Sequence, residues 1–287
     1  MKPTIELSMI VKNGGEALRR CLGSARPFVD RICVGDTGST NETGEIARQF
    51  DAEVVDIPWE QDSAQARNRV LERATCDWLL VLNADEMLDA WSGRRIRELV
   101  QGRILPEVGA FENWRWNYVG DLNVRLGERL ARRNPGLLDA ARDWPAYVLT
   151  PATRLFRRYP GLYYEGRVHE TILGRLKALQ LSLPTADFVV HHFGYAEHPQ
   201  GERQGKNQGF RRWGRKVSPI RSRKTGKPTP VVFSSWVLAN WSVLASRRQP
   251  SDTSRRPAGR IAGTRLPGSL RASASFGWGG SKTRGNG

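Results

Sequence analysis

Short apolar runs alternate with helical patterns over residues 4–85 of this chain. Such alternation is typical of βαβ units around a mostly parallel sheet. We therefore predict an α/β fold, with a mostly parallel central sheet and helices on both faces. The runs predicted to form strands are residues 5–11, 31–35, 53–57 and 78–82.

Polar residues that favour helix N-termini separate these runs. The first predicted helix covers residues 16–24. Thr40 or Asn41 is predicted to cap the second helix, and Asp62 or Ser63 the third, which extends to Ala74.

Two acidic positions directly follow predicted parallel strands. Asp36 follows the second strand, and Asp85 lies in the segment Asn-Ala-Asp-Glu that follows the fourth. Ligands of open α/β sheets bind in the crevice beyond the carboxyl ends of the strands. Carboxylates placed there can hold a hard divalent cation, which neutralises a diphosphate leaving group. The alternative is that Asp85 and Glu86 only begin a helix at Met87.

The pattern changes at residue 109, where aromatic and basic residues become dense and strand-like runs occur at 153–156 and 186–191. We predict a second, mixed half over residues 109–215 that completes a pocket with residues 1–108. Residues 216–287 form a basic low-complexity tail, predicted to be mostly disordered. We interpret this tail as a frameshifted or degraded repeat region.

The charge of the chain is concentrated in that tail. The formal charge is +16 overall, and from Lys216 onward there are 14 Lys and Arg residues against one acid, Asp252. Non-specific nucleic-acid binding through the tail is therefore an alternative function. The rest of the chain shows no nucleic-acid motif, so no specific nucleic-acid partner is predicted. An apolar island at 231–245 instead favours peripheral contact with a membrane surface.

The sequence predicts a cytoplasmic location, with the inner face of the membrane as an alternative. The first residues read as a strand rather than a signal peptide. Three widely spaced cysteines, without zinc-site spacing, are expected to be reduced thiols. A dinucleotide-binding oxidoreductase is disfavoured, because the first βα turn lacks G-x-G-x-x-G.

Five motifs in order resemble bacterial family 2 glycosyltransferases, including a subgroup that often carries C-terminal helical repeats. The motifs are LSMIVKN at 7–13, GDTGST at 35–40, AQARNRVLERATCDWLLVLNADE at 64–86, RLFRRYPGLYYEGRVHE at 154–170 and HHFGY at 191–195. The resemblance covers residues 4–213 and implies the GT-A nucleotide-diphospho-sugar transferase fold. It also implies a nucleotide-sugar donor and a divalent metal, Mg²⁺ or Mn²⁺. The acceptor stays open among lipid-linked sugars, polysaccharides, proteins and small molecules.

The resemblance also implies roles for individual residues. Residues 1–108 would bind the donor, and residues 109–215 the acceptor. Asp85 would bind the metal, and His192 is a second candidate ligand. The implied donor-binding residues are Met9, Val11, Asn13, Asp36, Arg67 and Asn83.

Transfer with inversion needs a general base that takes the proton of the acceptor hydroxyl. Glu165 and Glu170 are the candidates, and Glu165 is favoured because it follows an aromatic run. His169 is a candidate to orient the base or a phosphate, although an isolated histidine is more often structural.

The family's usual Asp-Ala-Asp is Asn-Ala-Asp here, since Asn83 replaces an acid. We therefore predict a hexosyl or related glycosyl transferase of reduced activity, with a catalytically impaired binding protein as the alternative.

Overall fold

The computed structural model describes residues 2–195, and the predicted tail at 216–287 lies outside the described residues. The described helices are α1 to α5, at Gly15–Ala25, Thr43–Arg48, Ser63–Leu71, Ala90–Gln101 and Leu173–Ala178. The strands β1 to β6 are Ile5–Val11, Arg31–Asp36, Glu53–Asp56, Trp78–Val81, Glu86–Met87 and Ala110–Val119. The strands β7 to β11 are Arg125–Leu126, Arg129–Leu130, Arg132–Arg133, Ala146–Arg157 and Thr185–His192.

One sheet dominates the described residues, with the strand order β3-β2-β1-β4-β10-β6-β11-β5 and with β9 paired to β10. The neighbours β3, β2, β1 and β4 are parallel to one another. Strand β10 is antiparallel to both β4 and β6. The first half is thus the predicted parallel sheet, and the second half is mixed.

Helices cover both faces of the parallel part. Leu18 and Leu22 of α1 belong to the same buried cluster as Leu7 and Met9 of β1. Val70 of α3 instead packs with Cys33 and Ile57. Cys33 is the sheet neighbour of Ser8, whose side chain points away from the Leu7 face. Because side chains alternate along a strand, α1 and α3 lie on opposite faces.

Glycine is needed where α3 approaches β2. A Cβ on Gly35 would lie 2.6 Å from the side chains of both Ile57 and Val70. This close approach brings the N-terminal half of α3, which carries Arg67, to the carboxyl edge of the sheet.

The structure corrects several predicted boundaries. The second helix begins at Thr43, and its N-cap position is Glu42 rather than Thr40 or Asn41. Asn41 lies one residue earlier, and its Oδ1 accepts the Thr43 N–H at 3.2 Å. Asp62 caps α3 as predicted, but the helix ends at Leu71 rather than Ala74. Glu86 begins a strand that pairs with β11, so no helix begins at Met87.

The three cysteines are free and buried. Burial raises the pKa of the Cys33 thiol to about 12, which keeps it protonated and unreactive at neutral pH. No helix within residues 2–195 has the length and apolar character needed to cross a membrane.

Candidate active site

The loops after β1 and β2 are joined into one unit at the carboxyl edge of the sheet. Asp36 Oδ1 accepts hydrogen bonds from the backbone N–H groups of Gly38 (3.1 Å) and Ser39 (2.8 Å). Asn13 donates its backbone N–H to Ser39 Oγ (2.8 Å), and its Oδ1 accepts from the Thr40 N–H (2.9 Å). The predicted donor residues Asn13 and Asp36 therefore meet in a shared, half-exposed rim.

Met9 and Val11 lie beneath this rim. The Met9 side chain is completely buried in the core and Val11 is 6% exposed. A nucleotide cannot reach the Met9 side chain in this arrangement, which counts against a direct contact. The Val11 carbonyl accepts the Thr37 N–H, so its visible role is to position the second loop.

The turn between β4 and β5 is held by Glu86, which is fully buried. Glu86 Oε2 accepts the Asn83 N–H (3.0 Å), and Oε1 pairs with Arg154 and, at 3.5 Å, with Arg115. Burial alone would raise the pKa of Glu86, but the charges of Arg154, His192 and Arg115 hold it below its ordinary value. Glu86 is therefore an anionic anchor that fixes where Asp85 lies.

Asp85 faces His192 across this turn, with Asp85 Oδ2 and His192 Nε2 3.4 Å apart. Burial would raise the pKa of Asp85, but its interaction with His192 outweighs burial and lowers the pKa. The Phe193 N–H donates to the Asp85 carbonyl (2.9 Å). Gly194 completes the arrangement, because a Cβ there would collide with Asp85 Oδ2 and lie 2.8 Å from His192 Nε2.

Asn117 fixes the orientation of the His192 ring. Its Nδ2 donates to the Val148 carbonyl (2.8 Å) and to Thr150 Oγ1 (3.0 Å), which leaves Oδ1 to face His192 Nδ1 at 2.9 Å. An amide oxygen only accepts, so Nδ1 must carry the proton. In the neutral ring, the lone pair of Nε2 then points towards Asp85.

This donor set fits a divalent cation. A carboxylate oxygen suits both Mg²⁺ and Mn²⁺, whereas an imidazole nitrogen is a ligand of transition-metal ions rather than of Mg²⁺. A bonded second ring nitrogen is the usual support of a ligating histidine. Within residues 2–195, no group of three or more His, Cys, Asp or Glu side chains could hold a metal ion. Asp85 and His192 would therefore need further ligands from a bound substrate or from water.

The sequence Ala-Arg-Asn in α3 contacts residues of both halves of the described chain. Arg67 is 6% exposed, and it donates from Nε to Glu170 Oε1 (2.7 Å) and from Nη2 to Asn83 Oδ1 (2.9 Å). Asn68 binds both the N–H and the carbonyl of Tyr164. Arg67 and Asn83 are thus paired with each other, an arrangement that the sequence did not reveal.

Two cavities separate the candidate bases. Glu170 lines a cavity of about 280 Å³ together with Arg67, Arg115 and Arg154. Glu165 lines a different cavity of about 640 Å³ along α3, beside Asp62 and Tyr163. The geometry thus favours Glu170 over Glu165 as the acid near Asp85, since Glu170 contacts Arg67 and Arg67 contacts Asn83.

His169 and His191 have different surroundings. His169 is exposed and has a positive φ of 60°, in a loop that is anchored by a hydrogen bond from the Ser63 N–H to the Arg167 carbonyl. His191 is buried between Tyr118 (2.8 Å) and Asp89 (3.1 Å), so its visible role is structural.

The sequence profile described as Glycosyl transferase family 2 matches residues 7–160, more than half of the chain. The chain belongs to glycosyltransferase family 2. Its matched region contains the loops after β1 and β2, the turn that carries Asp85, and strands β6 and β10. The observed sheet, parallel through β3-β2-β1-β4 and mixed beyond, is the GT-A fold of this family.

Sequence relatives agree with this membership. A TPR repeat-containing protein of Synechococcus elongatus is 31% identical over 220 residues, which cover 73% of this chain and 47% of that protein. The glycosyltransferase SunS of Bacillus subtilis is 24% identical over 67% of this chain and 40% of its own length. This family 2 chain therefore spans less than half the length of these curated relatives.

Solved structures give a weaker likeness. Glucosyl-3-phosphoglycerate synthase of Mycobacterium tuberculosis, in complex with Mn²⁺, UDP and phosphoglyceric acid, has a TM-score of 0.47 and 15% identity. The match covers 80% of this chain and 84% of that one. This likeness is too low to assign a substrate to the family 2 chain.

Four further residues shape the site of this family 2 chain and were missed from sequence: Glu86, Asn117, Arg154 and Gly194. Glu86, Arg154 and Gly194 lie inside the quoted motifs, but the motifs do not show which neighbours they contact. Asn117 lies among aromatic residues of β6, and nothing in that run indicates a partner 75 positions away.

Proposed function

We propose that this chain transfers a glycosyl group from a nucleotide-diphosphate sugar to an acceptor hydroxyl, with inversion and with the help of a divalent metal. The observation that carries the proposal is the Asp85–His192 pair at the carboxyl edge of the sheet. The next residue, Glu86, is paired with Arg154, which lines the cavity that contains Glu170. Family membership makes glycosyl transfer the expected chemistry, and the pair supplies a place for it.

On the donor side, the joined loops of Asn13 and Asp36 would hold the nucleoside. Asp36 uses Oδ1 for two backbone hydrogen bonds, which fixes its carboxylate at the rim. Mg²⁺ or Mn²⁺ would be held by Asp85 Oδ2 and His192 Nε2, and it would supply charge neutralisation for the departing diphosphate. Asn83 Oδ1 is bonded to Arg67, so a ribose hydroxyl would be bound by the Asn83 Nδ2 donor.

On the acceptor side, Glu170 is the proposed general base. As the acceptor oxygen attacks the anomeric carbon, its proton passes to the Glu170 carboxylate and the bond to the diphosphate oxygen breaks. Arg67, bonded to Glu170 through Nε, would hold the carboxylate in position. Glu165 remains the alternative, and it would require the acceptor to enter the cavity along α3.

The test is a thermal-shift screen of UDP-, GDP- and dTDP-sugars, each with and without Mn²⁺. A ligand that binds the native state raises the melting temperature. We expect one nucleotide to give a shift that grows with Mn²⁺, and we expect Asp85→Ala to abolish the metal-dependent part. Asp139→Ala, which removes an exposed acid, is the matched control and should leave the shift unchanged.

Two results of this screen would contradict the proposal. No response to any nucleotide with Mn²⁺, or an unchanged response in Asp85→Ala, would refute the proposed donor and metal site. The second candidate, a transferase fold that binds without turnover, is favoured by the engagement of Asn83 with Arg67. Normal donor binding without release of free sugar would identify it.

A further inference from the structure

The cavity beside Glu170 contains three guanidinium groups that have few hydrogen-bond partners. Arg67, Arg115 and Arg154 all line this space of about 280 Å³. Their side chains are only 7%, 24% and 13% exposed, so bulk water reaches them poorly. On a protein surface, water accepts hydrogen bonds from the N–H groups of arginine. Three guanidinium groups in one cavity therefore need hydrogen-bond acceptors close by.

The acceptors within residues 2–195 do not meet this need. A guanidinium has five N–H donors. Arg67 spends two of them, on Glu170 and Asn83, and Arg154 spends one on Glu86. Arg154 Nε is buried without an acceptor among the described residues. Most N–H groups of these three arginines therefore have no acceptor among residues 2–195.

Arg115 is the least satisfied of the three. It contacts Thr150 at 3.4 Å and Glu86 at 3.5 Å, both at the outer limit of a hydrogen bond. Glu86 Oε1 is already paired with Arg154, so Arg115 shares an acceptor that is largely occupied. A further oxyanion could bind Arg115 without breaking a good existing bond.

We propose that this cavity binds an oxyanion of the acceptor, a phosphate or a carboxylate, through Arg115 and Arg154. The fork of a guanidinium matches two oxygens of either group. The carboxylates of Glu112 and Glu170 line the same cavity. These carboxylates repel an anion, so the anionic group would bind at the arginines and leave the acceptor hydroxyl near Glu170. The acceptor class is then an alcohol that carries an anionic group close to the reacting hydroxyl.

The inference rests on the proposed function, because the same oxyanion contacts could come from the donor diphosphate. The experiment separates the two sources. Binding of glycerol 3-phosphate, glycerate and neutral glycerol to the full chain is measured by calorimetry, with and without saturating UDP and Mn²⁺. An acceptor site should bind the two anionic alcohols while UDP is present, and should bind glycerol far more weakly.

Arg115→Gln provides the mutational arm, and Arg69→Gln is its matched control. Arg69 lies on α3 near Arg67, but its partner is the exposed Glu60 outside this cavity. Loss of a charge-assisted bond should weaken binding of the anionic alcohols about tenfold in Arg115→Gln. Arg69→Gln should bind them as the original chain does. Arg154→Lys, which keeps the charge beside Glu86, should also weaken binding.

Each remaining outcome counts against the inference. Binding of the anions only in the absence of UDP would assign the arginines to the donor diphosphate. Equal binding by the Arg115→Gln and original chains, at unchanged melting temperature, would show that the cavity is not the anion site. If UDP with Mn²⁺ itself fails to bind, the proposed function fails, and that result is separate from the anion titration.

Discussion

At the scale of single residues, Gly194 shows how a motif position without chemistry of its own can control a site. Its backbone lies against the two atoms proposed to hold the metal, Asp85 Oδ2 and His192 Nε2. Its φ is not in the left-handed region, so glycine is required there for space and not for conformation. The motif HHFGY thus contains the proposed metal ligand His192 and also Gly194, whose missing side chain leaves space for that ligand.

We expect Gly194→Ala to weaken metal binding while the fold survives. The new Cβ would push aside the ends of two side chains rather than backbone, so the cost in stability should stay below about 1.5 kcal/mol. Displaced ligands should lower the affinity for Mn²⁺, measured by calorimetry with UDP present, by about tenfold or more.

Gly120→Ala is a matched control, because a Cβ at Gly120 meets nothing within 4 Å. It should bind Mn²⁺ as the original chain does. Undiminished Mn²⁺ affinity in Gly194→Ala would argue that the metal is held elsewhere.

At the scale of elements, the turn between β4 and β5 depends on one buried ion pair. We expect Glu86→Gln to lower the free energy of unfolding at pH 7 by about 3–5 kcal/mol, because it leaves the buried Arg154 without its anion. The pKa of Glu86 is lowered in the folded chain. Its contribution to stability is therefore full above the ordinary value of 4.5 and is lost as the pH falls through the lowered pKa.

Urea unfolding at pH 7, 5 and 3.5 checks both parts of this prediction. The difference in stability between the original chain and Glu86→Gln should be largest at pH 7 and should shrink on the acid side. Glu72→Gln removes an exposed acid that has no ion pair within residues 2–195, and should change stability by less than about 0.5 kcal/mol. A difference that stays constant with pH would mean that Glu86 is not ionised in the fold.

The elements with the clearest periodicity were predicted well. Residues 5–11 were predicted as the first strand, and β1 is Ile5–Val11. Residues 78–82 were predicted as a strand buried on both faces because WLLVL is a continuous apolar run, and β4 is Trp78–Val81 with every residue buried. The predicted cap at Asp62 was confirmed, since its side chain accepts the Gln65 N–H. Helix α4 was not predicted. Asp89 caps it by accepting the N–H groups of Trp91 and Ser92, but the nearby acids Asp85 and Glu86 made this cap hard to recognise in the sequence.

Other elements depend on partners that are distant in sequence. Strand β5 has two residues, and it exists only because Glu86 and Met87 pair with His192 and His191. Strand β10 extends from Ala146 to Arg157, well beyond the predicted 153–156, because β6 supplies hydrogen bonds along almost its whole length. Local propensity contains no information about such pairings.

At the scale of the whole molecule, the sequence located the edge of the sheet but not the arrangement across it. Asp36 and Asp85 were expected at one edge, and parallel strands β2, β1 and β4 put them there with β1 between them. The choice between Glu165 and Glu170 was beyond the sequence. The two acids are five positions apart along the loop, yet they face different cavities.

The position of Glu165 and Glu170 in different cavities predicts which of the two acids serves as the general base. We expect Glu170→Gln to slow the hydrolysis of the bound nucleotide sugar, with water as acceptor, by about 10²- to 10⁴-fold, because the amide cannot accept the proton. Its affinity for UDP with Mn²⁺ should change little, since Glu170 contacts Arg67 and not the Asp85–His192 pair.

Glu165→Gln is the matched control in the same loop, and it should retain hydrolysis within about threefold, the scatter expected for a residue without a role in the reaction. The rates are measured by release of free sugar, and the affinities by calorimetry on the same preparations. Slow hydrolysis in Glu165→Gln with normal rates in Glu170→Gln would move the acceptor to the cavity along α3, and the arginine-lined cavity would lose its assigned role.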